Sequence, residues 1–480
     1  KREAAALRKY IQCENEVKDW SDNARKVGVD PTFLAVSDVV WSELLHKFPF
    51  GDLRTELRPR HGPGSTGERL FGNSKWTFAD RWHKRLEEFF PVTEYAFASQ
   101  RDLSPESLSR FDFVEPEDEQ PVRVVFVPKT QKTPRVIAIE PICMQYIQQG
   151  LLQLLVPLIE GGRYTGGRVN FSDQSVNQKL ALSASRSERL ATLDMSDASD
   201  RVSSYLVYNM LRVVPNFRDH VFACRSTRAV LPTGETIQLS KFASMGSALC
   251  FPMEAMCFFI AIVSDRIRRA QVPVTSRNIR KYARDIYVYG DDIVVPSDEA
   301  PAVIESFKAY GFKVNAAKSF WTGKFRESCG VDAYAGERVT PVYCRVDAPD
   351  DRRSVDRILS WVSMANQFYM AGLWRACKSV RTHLEGILGE IPHGHDTSPG
   401  LHWTSYSKRI QGTKWNKNLM RFENRTWVPT PVREPDPLDG DQALLKCFTL
   451  IGSDSVSTDH LQRSVSRGKI ALKRRWVPAH

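Results

Sequence analysis

The sequence predicts an α+β fold in which an antiparallel sheet is flanked by helices. Apolar residues recur with helical period towards both ends of the chain, whereas the middle third carries short β-branched and aromatic runs broken by turns. At 480 residues the chain is also too long for one hydrophobic core, so two to four packed subdomains are expected.

Taken in order, residues 1–27 carry a helical pattern. A second helix over 30–48 has Asp30 as its cap and Pro31 at its first position. The Gly- and Arg-rich segment 58–73 reads as a loop, and 78–90 (FADRWHKRLEEFF) as a helix. Residues 123–141 (RVVFVPKTQKTPRVIAIEP) form two β-rich runs joined by a basic turn, Lys129 to Pro134. A helix is expected over 143–161, then strand, long helix, strand and hairpin through residue 345. Helical segments follow over 352–386, then a Pro-rich, Trp-containing stretch (398–437) and a tail ending in the basic run 467–476.

Hydrophobic residues make up 42% and charged residues 26%, ordinary for a soluble globular protein, and the formal charge of +11 suits a polyanionic partner without proving one. The nine cysteines have no CxxC spacing and no His neighbours in zinc-site order, so reduced thiols in a cytosolic protein are expected. The apolar stretch 247–263 is interrupted by Pro252, Glu254 and serines, which argues against a membrane span. The start, KREAAALRKYIQ, is too polar for a signal peptide, and it lacks an initiator Met, leaving room for missing N-terminal residues.

The chemistry is concentrated in carboxylates. YVYGDDIVVP (287–296) is a hairpin signature, with Gly290 and the aspartates expected to take the unusual turn dihedrals. Adjacent carboxylates at a hairpin tip repel unless a cation lies between them, although a solvated Gly-Asp turn gives the same string. A second segment, ATLDMSDASDRVSSYLVYNMLRVV (191–214), reads as a buried strand turning into an amphipathic helix. Asp194 sits near the C-terminal end of the short strand Ala191 to Met195, and its place among apolar residues calls for a partner. Asp200 lies near the helix start, where Asp197, Ser199 or Asp200 could instead serve as an N-cap. Asp194, Asp291 and Asp292, from two separate strands, suit a hard cation such as magnesium. Two such ions can activate a hydroxyl and stabilise a leaving pyrophosphate.

These residues resemble the palm motifs of viral RNA-dependent RNA polymerases, and most closely those of the replicase β subunits of single-stranded RNA phages (leviviruses). DMSDASDRVS resembles palm motif A, SMGSALCFPMEAM (244–256) motif B, YGDD motif C, GFKVNAAKSF (311–320) motif D and FRESCGVDAYAGERVTPVY (325–343) motif E. VPKTQKTPRVIAIEP (127–141) resembles the basic fingers motif F, and VNFSDQSVNQ (169–178) and RHGPGSTGERLFGN (60–73) are similar to phage-specific stretches.

The resemblance implies a right-handed polymerase fold, with an N-terminal region and fingers over 1–185, a palm over 186–345 with a fingers insertion around 215–243, and a thumb and C-terminal region over 346–480. It implies an RNA-directed RNA polymerase that replicates a phage genome from nucleoside triphosphates without a primer, using two Mg²⁺ ions for which Mn²⁺ can substitute. Asp194 and Asp291 would be the main metal ligands, with Asp292 assisting. Asp200 would recognise the ribose, and Ser244 and Gly246 would lie at the nucleotide site, Gly246 allowing close approach of template or nascent strand. Lys129, Lys132 and Arg135 would hold the triphosphate. Lys318 would be the general acid for pyrophosphate, with a solvated helix-end lysine the competing reading. The partners implied are RNA template and product, elongation factors Tu and Ts and a small-subunit ribosomal protein, in the bacterial cytoplasm and without a membrane. Ser247, Ala248, Leu249 and Cys250 depart from the family's motif B, and Asp197 adds a charge where the family often has Ser.

Two other readings compete. A reverse transcriptase shares the palm and a Tyr-x-Asp-Asp turn, but Asp200 stands where a deoxynucleotide enzyme places a bulky steric gate, and no nuclease domain follows residue 346. A non-catalytic RNA-binding or assembly protein would keep the shape without needing intact Asp194, Asp291 and Asp292. Outside the motifs, His61 reads as a loop residue within reach of RNA, and His393 and His395 lack the neighbours of a metal site. Trp403, Trp415 and Trp427 read as packing residues more than base-stacking ones, and Lys473 to Arg475 as a solvated run.

Overall fold

Residues 1–27 form the expected helix, α1 (Arg2–Val27), and Asp30 caps the next, α2 (Pro31–Leu45), by accepting from Thr32 N at 2.8 Å. The structure is a computed structural model that describes every residue except 47–55, 63, 129–132, 396, 407–412, 433–435, 452–469 and 480. The fold is α+β, as predicted. The chain separates into two compact units, one of Lys1–Thr340 with Asp436–Ser453, the other of Pro341–Pro435 with Asp454–His480.

In the first unit, the helix expected over 78–90 does not form. A 3-10 segment (Gly72–Asp80) gives way to strand β1 (Arg81–His83) and a single helical turn (Lys84–Glu87). The cause is aromatic packing. Phe78 and Ala79 take left-handed dihedrals (φ 55° and 53°), and Phe78 and Trp82 are both fully buried. His61 joins the same cluster, its ring 4.9 Å from Trp76, 5.3 Å from Phe78 and 4.7 Å from Tyr146. Its ring nitrogens are buried without hydrogen-bond partners, so His61 is a packing residue and not one presented to RNA.

Strand β1 pairs in parallel with β2 (Asp112–Val114). The two runs around the basic turn form the antiparallel hairpin β3 (Val122–Val127) and β4 (Arg135–Ile139). Their sheet has the order β4-β3-β6-β7, completed by β6 (Arg228–Val230) and β7 (Thr236–Gln238). A second sheet, antiparallel throughout with order β5-β9-β8, contains β5 (Leu190–Asp194), β8 (Tyr287–Tyr289) and β9 (Asp292–Pro296). A third is the meander β10 (Phe325–Ser328), β11 (Val331–Tyr334) and β12 (Glu337–Arg338).

Helix Cys250–Arg269 is buried along almost its whole length and packs against α2, the helix Ala300–Ala309 and β8, which anchors the β8–β9 hairpin to the core. Among the described residues one helix, Ile142–Gly161, is long and apolar enough to cross a membrane, and most of it is buried in this core. All nine cysteines are free thiols. Helix Gly440–Ile451 belongs to this unit although it follows 436 in sequence; Lys446 Nζ donates to Asn73 Oδ1 at 2.6 Å.

The second unit pairs helices Val355–Met370 and Trp374–Leu388 with an antiparallel sheet of β13 (Lys414–Asn416), β14 (Arg421–Pro431) and β15 (Ile470–Pro478). From Ile470 onwards the basic run of the tail is a strand, because its residues pair one by one with Glu423–Pro431 of β14. Trp403 is 1% exposed and donates to Glu385, and Trp427 donates to Leu388 O, both as packing residues; Trp415 lies against Phe422 at the exposed edge.

Candidate active site

Strand register brings the predicted carboxylates together. Asp194, the last residue of β5, is the direct cross-strand partner of Asp292, the first residue of β9. Directly opposed residues share a face of the sheet, with Cβ atoms about 5 Å apart. Tyr289 in turn pairs with Asp292, which leaves Gly290 and Asp291 as a two-residue loop. Gly290 alone takes the left-handed dihedral (φ 60°); neither Asp291 nor Asp292 does, contrary to expectation. A Cβ at Gly290 would overlap the ring of Phe251, at the start of the Cys250–Arg269 helix. Asp291 projects from the tip and is exposed.

Neighbouring groups fix two of these carboxylates. Asp292 accepts from Ser328 Oγ at 3.3 Å and from Cys329 N at 3.2 Å. Burial, and then the charge of Asp291, push its carboxyl up to about 6. Asp194 Oδ2 accepts from Asn315 Nδ2 at 2.8 Å, and its backbone N–H donates to Ser319 Oγ at 3.0 Å. A further acid, Glu254, lies buried on the Cys250–Arg269 helix, and its Oε2 has no hydrogen-bond partner. Burial and the charges of Asp291 and Asp200 hold it well above the usual carboxylate range.

Among the described residues, no three His, Cys, Asp or Glu side chains converge tightly enough to form a complete metal cage. Two opposed carboxylates with a third at the adjacent tip still match the preference of magnesium. It takes oxygen ligands and usually binds through one or two carboxylates, keeping several waters and completing its shell with substrate phosphates.

The nucleotide-site candidates are placed unevenly. Asp200 Oδ1 accepts from Lys241 Nζ at 3.0 Å, and Lys241 is fully buried. The capping alternative fails for all three residues weighed. The expected helix after β5 is split into Ala198–Arg201 and Ser204–Met210; Ser203 caps the second, and Asp197 precedes the first with no side-chain cap. Asp197 instead pairs with Lys9 at 2.7 Å. Ser244 is buried, its Oγ 2.9 Å from Tyr10 OH. Gly246 (φ 139°) is crowded by the chain's own backbone, since a Cβ there would overlap Ala138 O of β4. Ala138 N also donates to Met245 O at 2.9 Å, which fastens this turn to the β3–β4 hairpin.

In the stretch 247–250, Ser247 Oγ and Ala248 N both donate to Gln148 Oε1, so these residues are tied to the helix Ile142–Gly161. Arg135 is exposed at the start of β4, while Lys129 and Lys132 lie outside the described residues. Lys318 ends a short 3-10 turn (Ala316–Lys318), three residues after Asn315, and meets Glu327 only at 3.9 Å with both side chains partly exposed.

Sequence reasoning missed Lys241, Glu254, Asn315 and the Ser328–Cys329 pair. Asn315, Ser328 and Cys329 stand inside segments singled out for their motifs, yet nothing local marks their side chains as carboxylate partners. Glu254 likewise stands inside the motif segment 244–256, marked only as a charge in an apolar stretch, and Lys241 lies outside every motif.

The family described as "RNA replicase, beta-chain" matches residues 1–421. Among known proteins, the chain is similar to the RNA-directed RNA polymerase subunit beta of Qbeta virus (strain MX1), with 32% identity over 63% of this chain and 47% of the relative. It is similar also to the corresponding subunit of Enterobacteria phage SP, with 29% identity over 78% of this chain and 61% of that one. The RNA-directed RNA polymerase beta chain of Escherichia phage MS2 matches at 31% identity over 61% of this chain and 54% of its own length. The chain thus spans about half the length of the curated relatives it matches.

Proposed function

The chain belongs to the RNA replicase β-chain family, and on that premise we propose that it is an RNA-directed RNA polymerase that copies a phage RNA genome from nucleoside triphosphates. The observation that carries this reading is the register that sets Asp194 opposite Asp292, with Asp291 on the adjoining turn.

In this reading β5, β9 and β8 are the palm sheet of a right-handed polymerase. Residues 1–185 contribute the N-terminal region and fingers, 186–345 the palm and 346–480 the thumb and C-terminal region. The separation of compact units after Thr340 supports a boundary near 345, and the helix Gly440–Ile451 is better assigned to the first unit.

Asp194 and Asp291 would hold two Mg²⁺ ions, replaceable by Mn²⁺, with Asp292 assisting. When bound, the ions lower the barrier to attack of a 3′ hydroxyl on the α-phosphate and stabilise the departing pyrophosphate. Asn315 and the Ser328–Cys329 pair orient the carboxylates, so that little reorganisation is needed when charge develops. Arg135, with Lys129 and Lys132, steadies the triphosphate. Asp200 reads the ribose. Ser244 and Gly246 shape the floor of the nucleotide site. Lys318 protonates the leaving pyrophosphate. Initiation without a primer, work in the bacterial cytoplasm, and association with elongation factors Tu and Ts and a small-subunit ribosomal protein are parts of the same proposal.

The test is RNA-templated incorporation of ribonucleotides by the replicase complex carrying this chain, with and without Mg²⁺. Product should require both the metal and Asp291. If Asp291→Ala copies RNA as fast as the unmutated chain, the catalytic reading fails and a non-catalytic RNA-binding role takes its place.

A further inference from the structure

We infer that helix α1 is a positioning element for sugar selection, acting on Asp200 through the buried Lys241. The inference rests on the reading of Asp200 as the residue that recognises the ribose.

A lysine ammonium with no exposed surface is costly unless its charge is met. Lys241 meets three groups. Its Nζ lies 3.0 Å from Asp200 Oδ1, 3.4 Å from Glu14 Oε2 and 3.6 Å from the centroid of the Tyr10 ring. Two of those three groups belong to α1. Glu14 also accepts from the backbone N–H groups of Ser240 and Lys241, so α1 holds both the ammonium and the chain segment that carries it.

The same helix grips both segments that flank this ion pair. Tyr10 OH bonds Ser244 Oγ at 2.9 Å, at the beginning of the turn that contains Gly246. Cys13 Sγ donates to Asp200 O at 3.4 Å, and Glu16 pairs with Arg201 at 2.7 Å. Ser21 Oγ lies 2.8 Å from Ser203 Oγ, the cap of the following helix. Residues 200–203 and 240–244 are thus fixed to one rigid element along about three of its turns.

The consequence is chemical. An aspartate accepts a hydrogen bond from a sugar hydroxyl only when one of its oxygens is turned towards that hydroxyl. Lys241 occupies Oδ1 and fixes the rotamer, which leaves the second oxygen as the acceptor. A 2′-deoxy sugar has no hydroxyl to donate, so an accurately held Asp200 favours ribonucleotides, whereas a freely rotating one discriminates less. α1 belongs to no palm motif, yet it supplies half of the charge balance behind this discrimination.

The test is competition between ribo- and 2′-deoxyribonucleoside triphosphates in RNA-templated addition by the complete replicase complex. Asp200→Asn, Lys241→Met, Glu14→Gln and Tyr10→Phe are compared, with folding checked by thermal melting. Lys241→Met should lower the preference for ribonucleotides about tenfold, as expected for loss of a charge-assisted hydrogen bond. The change should appear as a higher KM for ribonucleotides with the deoxyribonucleotide KM unchanged, a split that a merely structural defect would not produce. Tyr10→Phe, which removes a single hydroxyl, should shift the preference in the same direction by less. If Lys241→Met does not fold, Glu14→Gln and Tyr10→Phe decide. Should the folded α1 and Lys241 variants keep full discrimination while Asp200→Asn loses it, the positioning role is overturned and the Asp200 reading stands. Full discrimination by Asp200→Asn overturns the reading of Asp200 itself, and the inference with it.

Discussion

Asp194 and Asp292 face each other as direct partners across two antiparallel strands, and each is held from a different direction, Asp194 by Asn315 and Asp292 by Ser328 and Cys329. Opposed like charges destabilise a strand pair. The sheet therefore carries a local repulsion that a bound divalent cation would reverse.

That repulsion gives the first prediction. Asp292→Asn keeps an acceptor for Cys329 N and offers its amide N–H to Ser328 Oγ, whose hydroxyl can turn to accept, while removing the charge that burial and Asp291 disfavour. In chelator at pH 8 the variant should be more stable than the unmutated chain, by on the order of 1–2 kcal/mol. Adding Mg²⁺ should stabilise it less. Thermal melting with and without metal checks both, and a lower melting temperature for the variant in chelator would contradict the account.

The hairpin tip gives the second. Gly290 and Gly234 both have positive φ (60° and 90°), but a Cβ would overlap Phe251 only at Gly290, and at Gly234 it would meet open space. Gly234→Ala should cost about 1 kcal/mol of backbone strain. Gly290→Ala should cost distinctly more and should abolish nucleotide addition, because it shifts Asp291. Urea unfolding compares the two, and equal costs would show that Phe251 does not constrain the turn.

Glu140 gives a pH dependence. Its carboxyl is buried at the end of the β3–β4 hairpin beside Ser226, and burial pushes it up to about 7. Because the folded chain keeps a proton that the unfolded chain releases near the ordinary glutamate value, stability falls as pH rises from about 4.5 to about 7. Glu140→Gln should flatten that slope and leave stability below pH 4 little changed. Denaturation midpoints across this range test it, and an unchanged slope would refute the assignment.

For Lys318 the structure offers only a long, partly exposed contact with Glu327, the kind of pair that contributes little to stability. Lys318→Met should leave the melting temperature almost unaltered. As the general acid it should lower kcat by about a hundredfold with KM little changed. Rapid single-nucleotide addition distinguishes this from a solvated lysine, for which kcat would hold.

Much of this site was legible because its signals are local. A short apolar strand carrying Asp194, and a Gly-Asp-Asp turn between β-branched runs, each announce themselves within ten residues. That the two segments meet was expected from the chemistry and the motif order, whereas the register that sets Asp194 opposite Asp292 comes from the structure. The partners were illegible for the opposite reason. Lys241 reaches Glu14 across more than two hundred residues of chain, and a buried ion pair leaves no periodic trace at either end. Residues 78–90 misled because their helical spacing yielded to the burial of Phe78 and Trp82, and β15 was hidden because its partner strand lies some forty residues upstream. Lys129 and Lys132, whose role rests on the resemblance to the fingers motif, lie outside the described residues.

The most direct measurement is the rate of Mg²⁺-dependent, RNA-templated ribonucleotide addition by the replicase complex carrying Asp194→Asn, in a form that melts as the unmutated complex does. Asn at this position can still bond its neighbours but no longer brings a charge to the metal. The rate should fall by about a thousandfold or more, the scale of removing several kcal/mol of transition-state stabilisation. An undiminished rate would contradict a metal-binding role for Asp194.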